Sequence, residues 1–306
     1  MTRRTPALVL ALLLFGAGAA SAQPLPRALS AHVIVVSIDG LRGDAIEAAG
    51  ARHLAQLLAD GSGTVLAQTI LPSKTLPSHT SMLTGVSPEV HGITWNDDRT
   101  GELGVVGVPT VFELAHDAGY HTAAFFSKAK FRHLVREGSL DFVGVPGGNV
   151  LPASRTVTEA VRYMRRERPN LLFVHIADPD FMGHAVGWMS LPYRWAVREA
   201  DAAVGDILLA ATRTYGEGNF TLIVTADHGG HGRDHGSSDP RDTTIPWIAY
   251  GRGIQANHRI VGPVSTMDTA ATVLRILGVA RPVLWAGVPV AEAFSADAVA
   301  AADGGG

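Results

Sequence analysis

There is no cysteine among the 306 residues. That absence excludes disulfides, thiolate nucleophiles and cysteine-held metals, so a bound metal must take its ligands from Asp, Glu, His or hydroxyl oxygen. Charge of one sign is also missing: 25 Lys and Arg face 28 Asp and Glu, a formal net charge of -3, which is not the balance of a nucleic-acid binder. The basic cluster Arg165-Arg166-Glu167-Arg168 is broken by an acid and reads as a solvated helix end. No Gly-x-Gly-x-x-Gly follows the first strand and no Walker loop occurs, so neither a dinucleotide nor a P-loop nucleotide site is supported. No repeat period is visible. Beyond the first residues no apolar run is long enough to span a membrane.

Those first residues read as a targeting segment. Arg3-Arg4 is followed by an apolar stretch from Ala7 to Ala20 and by Ala20-Ser21-Ala22. This is the order of basic region, hydrophobic core and small-residue cleavage site in a secretory signal. The expectation is a cleaved signal over residues 1–22 and a periplasmic or secreted protein. The remainder is 46% hydrophobic by overall composition and long enough for one large domain, expected over residues 23–296, with a polar flexible tail over 297–306.

The chain is organised around Val33-Ile34-Val35-Val36-Ser37-Ile38-Asp39-Gly40, a β-branched run of the kind buried in parallel sheets. Strands are also expected over 64–67, 122–126, 171–176, 220–225 and 245–250. Helices are expected over 45–59, 77–83, 109–118, 154–168, 192–215 and 269–277. Residues 92–107 read as a loop with a hairpin, and 131–148 as irregular. The alternation predicts an α/β fold, with a mostly parallel central sheet in a three-layer α/β/α sandwich. A small cap is expected from segments near 95–107 and 130–151, with Trp188 and Tyr193 as candidate stacking groups.

Three strands run into possible ligands: Asp39, then Asp178 and Asp180, then Asp227 and His228. In a parallel sheet the carboxyl ends of the strands converge on the ligand-binding edge. Asp180 and His184 are four apart, one helical face. His231 and His235 lie close enough in sequence to close such a site. The set outnumbers the ligands of one metal, and a two-metal site suits phosphoryl transfer. A nucleophile is then needed. Thr75, just before a predicted helix N-terminus, meets free N–H groups and a field favourable to anions. Ser73 and Ser78 compete with it. Arg42 and Lys74 are close enough in sequence to meet substrate charge.

Read together, Ser37-Ile38-Asp39-Gly40, Lys74-Thr75-Leu76-Pro77-Ser78-His79, Leu83-Thr84-Gly85, Pro88-Glu89-Val90-His91-Gly92-Ile93, Pro179-Asp180-Phe181-Met182-Gly183-His184 and Ala226-Asp227-His228-Gly229 resemble the nucleotide pyrophosphatase/phosphodiesterase branch of the alkaline phosphatase superfamily. The resemblance runs from about Val33 to Phe294. It implies an alkaline phosphatase-like fold and two zinc ions, manganese being compatible with the same hard ligands. One zinc would be held by Asp39, Thr75, Asp227 and His228. The other would be held by Asp180, His184 and a third histidine, for which the compressed segment 228–236 offers His235 and His231. Asp178 is expected to orient a ligand from behind.

The chain departs from the pattern at Ser78, where the family usually carries an asparagine whose amide helps hold a phosphate oxygen. The Cys-x-Pro-x-Arg nucleophile motif of sulfatases is absent. The expected chemistry is hydrolysis of a small-molecule phosphoester, a phosphodiester or nucleotide pyrophosphate, through a phosphothreonine on Thr75. Backbone N–H groups near Thr75 and Leu76, with Ser78, would stabilise the equatorial oxygens, and Lys74 would meet substrate charge. A phosphomonoesterase or phosphonate hydrolase shares this site, and a non-catalytic secreted binding protein is the alternative of a different class.

Overall fold

The computed structural model describes residues 27–148 and 150–303. The expected signal segment therefore lies outside the described residues. Eight strands form one sheet: β1 Val33–Ile38, β2 Ser62–Gln68, β3 Thr122–Phe125, β4 Phe142–Gly144, β5 Leu171–Ile176, β6 Thr221–Thr225, β7 Thr244–Gly251 and β8 His258–Arg259, in the order β4-β3-β5-β1-β6-β7-β2-β8. From β4 to β6 all neighbours are parallel, while β7 is antiparallel to both β6 and β2. Every residue of β1, β5 and β6 is buried, which is why these segments read as mostly apolar runs, with Ser37 and His175 as polar interruptions.

Helices cover both faces. The helices Ala45–Ala49, Arg52–Asp60, Ala153–Glu167 and Asp178–Val186 pack on the long helix Leu191–Tyr215, while Thr75–Thr84, Val111–Asp117 and Asp268–Leu277 pack together. The helix limits follow local chemistry. Ser190 accepts the Tyr193 N–H at the start of the long helix, and Thr110 does the same for Glu113. The expected helix 45–59 is split, because Gly50 closes its first part in the left-handed conformation at φ 68°.

The helix expected from Pro77 starts at Thr75, with Lys74 as its extended N-cap. The region 92–107 has no hairpin and contains the short helix Thr100–Leu103. The stretch expected to be irregular, 131–148, holds the end of a 3-10 turn, Ala129–Leu134, and edge strand β4. The expected tail 297–306 is helical over its described residues, as part of the helix Ala296–Asp303.

The register of β5, β1 and β6 sets the site. Ile38 pairs with Ile176 and Ser37 with Thr225, so Asp39, Asp178 and Asp227 leave the sheet at the same edge. The turn after β1 requires glycine. Gly40 has φ +70°, and a Cβ there would lie 2.9 Å from the Asp180 Cα. That close approach brings the helix carrying Asp180 against the end of β1, where the Asp180 N–H donates to the Asp39 carbonyl at 3.0 Å.

Candidate active site

Two ligand sets form at this edge. Asp39, Asp227 and His228 are buried, and each offers one atom to a cluster no more than 4.8 Å across. Asp180, His184 and His235 form a second such cluster. Asp180 and His184 lie one turn apart on the helix Asp178–Val186, with the His184 Nε2 3.3 Å from the Asp180 Oδ1 and the His235 Nε2 3.6 Å from that oxygen.

The outer contacts of the histidines fix what their inner atoms can do. Each turns its Nδ1 to a backbone carbonyl: His228 to Gly229 at 2.7 Å, His184 to Arg233 at 2.9 Å and His235 to Ser73 at 2.8 Å. A carbonyl accepts, so Nδ1 carries a proton and Nε2 is the atom directed inward, the one an ion would take in place of any proton there. The His184 and His235 Nε2 atoms stand 3.1 Å apart. The nearby carboxylate atoms Asp180 Oδ1 and Asp227 Oδ2 are buried without a hydrogen-bond partner. An orphaned acceptor in each ligand set fits a cation bound there.

Thr75 lies at the first position of its helix, 1% exposed, with Oγ1 3.5 Å from Asp39 Oδ1 and 3.4 Å from His228 Nε2. It lines a cavity of about 600 Å³ together with Asp180, His184 and His235. Residues from both expected cap segments, among them Asn96, Lys130 and Val150, border the same cavity.

Comparisons with known proteins bear on this geometry. The family model described as type I phosphodiesterase / nucleotide pyrophosphatase matches residues 33–236. The chain belongs to this family. It is 26% identical over 214 residues to a venom phosphodiesterase of Macrovipera lebetinus, covering 64% of this chain and 25% of that protein. It is 23% identical over 214 residues to mouse ectonucleotide pyrophosphatase/phosphodiesterase family member 3, covering 64% and 24%. The matched region thus spans about a quarter of the length of these curated relatives. Murine ectonucleotide pyrophosphatase/phosphodiesterase 5, solved as an inactive variant in complex with AMP, matches with TM-score 0.70 at 16% identity, covering 82% of this chain and 96% of that one. A 2-O GAG sulfatase also matches with TM-score 0.70 at 16% identity, covering 86% and 73%. These structural likenesses establish the alkaline phosphatase-like fold.

In this family member several sequence expectations are redirected. His231 turns away, its Nδ1 2.7 Å from Asp242, and it is His235 that stands beside Asp180 and His184. Asp178 makes no hydrogen bond to a side chain of either ligand set among the described residues. It accepts the Ala153 N–H at 2.8 Å and so holds the start of the helix Ala153–Glu167. Trp188 and Tyr193 are buried, not stacking platforms. Both donate to the Gly40 carbonyl, at 2.9 and 2.8 Å, and lock the turn after Asp39.

Ser78 is fully buried and takes a hydrogen bond from Thr69 at 3.1 Å, away from the cavity wall. Ser73, the other competing nucleophile, donates to the Ser237 carbonyl at 2.8 Å. Lys74 runs along Gly236, and the Arg42 guanidinium is paired with Asp44 at 2.5 Å. Neither lines the cavity that holds Thr75. The Leu76 side chain is buried, and its N–H is not open to an anion, because it donates to Asn96 Oδ1 at 2.9 Å.

Sequence reasoning assigned no individual role to Asn96 or Lys128, both in the cavity wall. The Lys128 ammonium lies 2.6 Å from Asp39 Oδ2 and 2.5 Å from Asp180 Oδ2. Buried His175, also unanticipated, lies 3.0 Å from the same Asp39 oxygen. These groups set the electrostatics. Burial opposes the charged form of Asp39, yet Lys128, His175 and His228 together hold it well below the usual carboxylate range. Burial likewise opposes the His228 imidazolium, but Asp227, Asp39 and Asp180 outweigh it and raise the group to about 9. Burial lowers His235 to about 4, assisted by the neighbouring His228. The sequence signal for Lys128 was weak: a lysine three residues past an apolar strand, with both partners far away in the chain.

Proposed function

We propose that the chain hydrolyses phosphoesters, with Thr75 as the nucleophile, and that its substrates are phosphodiesters or nucleotide-like pyrophosphates. The observation that carries this reading is the position of the Thr75 hydroxyl, at the meeting point of Asp39 and His228 and on the wall it shares with Asp180, His184 and His235. Asp39, Thr75, Asp227 and His228 would hold one divalent ion and Asp180, His184 and His235 the other, zinc or manganese by their oxygen and imidazole donors. Such ions, when bound, supply Lewis acidity to the attacking and leaving oxygens.

The remaining chemistry belongs to the chain. Thr75 Oγ1 gives up its proton to solvent and attacks phosphorus in line, and the P–O bond to the leaving oxygen, an alkoxide or a phosphate, breaks as that oxygen takes a proton from water. The product is phosphothreonine, which water hydrolyses from the vacated side, returning the hydroxyl. Thr75 sits at a helix N-terminus, whose partial positive charge favours the transferring group. Asn96 spends its amide oxygen on the Leu76 N–H, which leaves its Nδ2 donors for an equatorial phosphate oxygen. Asn96 thus takes the part that sequence comparison had reserved for the position of Ser78.

The family supports phosphodiester chemistry, and a fold relative solved with AMP supports a nucleotide-like substrate. The secretory-type sequence at the N-terminus supports a periplasmic or secreted location. The test compares bis-p-nitrophenyl phosphate with p-nitrophenyl phosphate for the purified chain and for Thr75→Ala, with metal content assayed. The expected result is diester preference in the parent, loss of turnover in the variant, and metal held by both. Preference for the monoester moves the reading to a phosphatase. Absence of both turnover and metal overturns it in favour of a binding protein.

A further inference from the structure

Lys128 belongs to none of the motifs that pointed to the site. Its chain follows β3, on the far side of β5 from β1, and its side chain runs inward until the ammonium is almost wholly buried. There it meets one carboxylate from each ligand set, Asp39 at 2.6 Å and Asp180 at 2.5 Å. In both cases it takes Oδ2. The other oxygen of each carboxylate faces imidazole: Asp39 Oδ1 lies 3.3 Å from His228 Nε2, and Asp180 Oδ1 lies 3.3 Å from His184 Nε2.

We propose that Lys128 is a positioning residue that ties the two metal half-sites into one ion-paired unit. Its ammonium anchors the outer oxygens of Asp39 and Asp180, so that each carboxylate turns its inner oxygen to its own ion. It also offsets buried negative charge when the ions are absent. The physical case rests on cost. Asp39, Asp180 and Asp227 are all buried, and carboxylates held together out of water are unfavourable unless paired. An ammonium is no less costly to bury, so a lysine serving only as packing has no reason to reach two carboxylates and end between them.

This inference rests on the two-metal reading above, and the experiment separates the two. The purified chain, Lys128→Met and Lys130→Met are stripped of metal with a chelator and then reloaded with zinc. Melting temperature and zinc per chain are measured before and after. Methionine keeps most of the volume of lysine and removes the charge. Lys130 lines the same cavity but forms no ion pair with either carboxylate, so its variant controls for general effects.

Metal-free Lys128→Met is expected to melt roughly 10 °C below the metal-free parent, the range expected for an uncompensated buried carboxylate in a chain of this size, and zinc is expected to restore most of the loss. Lys130→Met is expected to follow the parent. A metal-free Lys128→Met that melts with the parent overturns the proposal, as does a drop that zinc leaves in place, which marks Lys128 as packing alone. If Lys128→Met is insoluble in both states, Lys128→Gln carries the same comparison, and a zinc-reversible drop is again required. If the parent takes up no zinc, the two-metal reading falls and this inference falls with it. If the parent takes up two zinc ions and Lys128→Met behaves like it, only the role of Lys128 falls.

Discussion

Asn96 offers a sharp test of the proposed chemistry, because two small substitutions separate its two functions. Its Oδ1 accepts the Leu76 N–H at 2.9 Å, and its Nδ2 is assigned to an equatorial phosphate oxygen. Alanine removes both. The lost donor costs about 3–4 kcal/mol of transition-state stabilisation by analogy with an oxyanion-hole amide, or 10²–10³ in kcat. Part of that returns, because the released Leu76 N–H lies next to the nucleophile and becomes available to the anion. The expected loss for Asn96→Ala is therefore near the lower end, about 10². Aspartate keeps the acceptor for Leu76, so the loop and the helix start stay in place, but it removes the donor and brings a negative charge toward a phosphoryl group that gains charge in the transition state. Its loss is expected to exceed about 10³ in kcat. The assay is steady-state turnover of bis-p-nitrophenyl phosphate on zinc-loaded protein, with circular dichroism to verify that both variants are folded. The reasoning fails if Asn96→Asp is as active as Asn96→Ala, or if both lie within threefold of the parent.

Three further outcomes are expected. Gly40→Ala should destabilise the chain by about 2–4 kcal/mol in urea, from the left-handed backbone and from the 2.9 Å approach to the Asp180 backbone, and should weaken zinc uptake; an unchanged urea midpoint would contradict the close packing of that turn. His184→Ala should lower zinc content from two per chain to one, since Asp39, Asp227 and His228 do not depend on it; retention of two ions would place the second elsewhere. His91 is held at about 4 by burial, in spite of Glu89 and the Pro77 carbonyl, and its Nδ1 accepts the Ile93 N–H at 3.0 Å. The unfolded chain then binds a proton that the folded chain refuses, so this contribution is full above pH 6.5 and is lost as pH falls toward 4, by roughly 3 kcal/mol at most. His91→Gln should flatten the fall in urea midpoint between pH 7 and 4.5, and an equal fall in both proteins would refute this assignment.

The parts of the site that could be read from sequence are those governed by local rules. Asp39, Asp180 and Asp227 were legible because each follows a strongly apolar run, and a parallel sheet sends the ends of such runs to one edge. The pairing of Asp180 with His184 was legible because a helix brings residues four apart onto one face. The errors arose where local reading had nothing to measure. Beginning the helix at Pro77 rather than Thr75 left the orientation of Ser78 undetermined, and packing turns that serine toward Thr69. The aromatic pair Trp188 and Tyr193 lies just after the ligand helix in sequence, yet it faces inward to hold the Gly40 carbonyl.

Lys128 shows why the remainder was hidden. A ligand motif records which groups bind an ion, whereas a buried counter-charge is fixed only by how many carboxylates the fold brings together. Three converge here from β1, the helix after β5, and the end of β6, and no one segment contains that sum. The compensating cation comes from a fourth element, the chain after β3, for the same topological reason: parallel neighbours deliver their ends to one edge. The charge count at this edge is therefore a property of strand order. A sequence reading that fixed the strand order before naming ligands would have had to ask what balances the acids, and the loop after β3 is where that question leads.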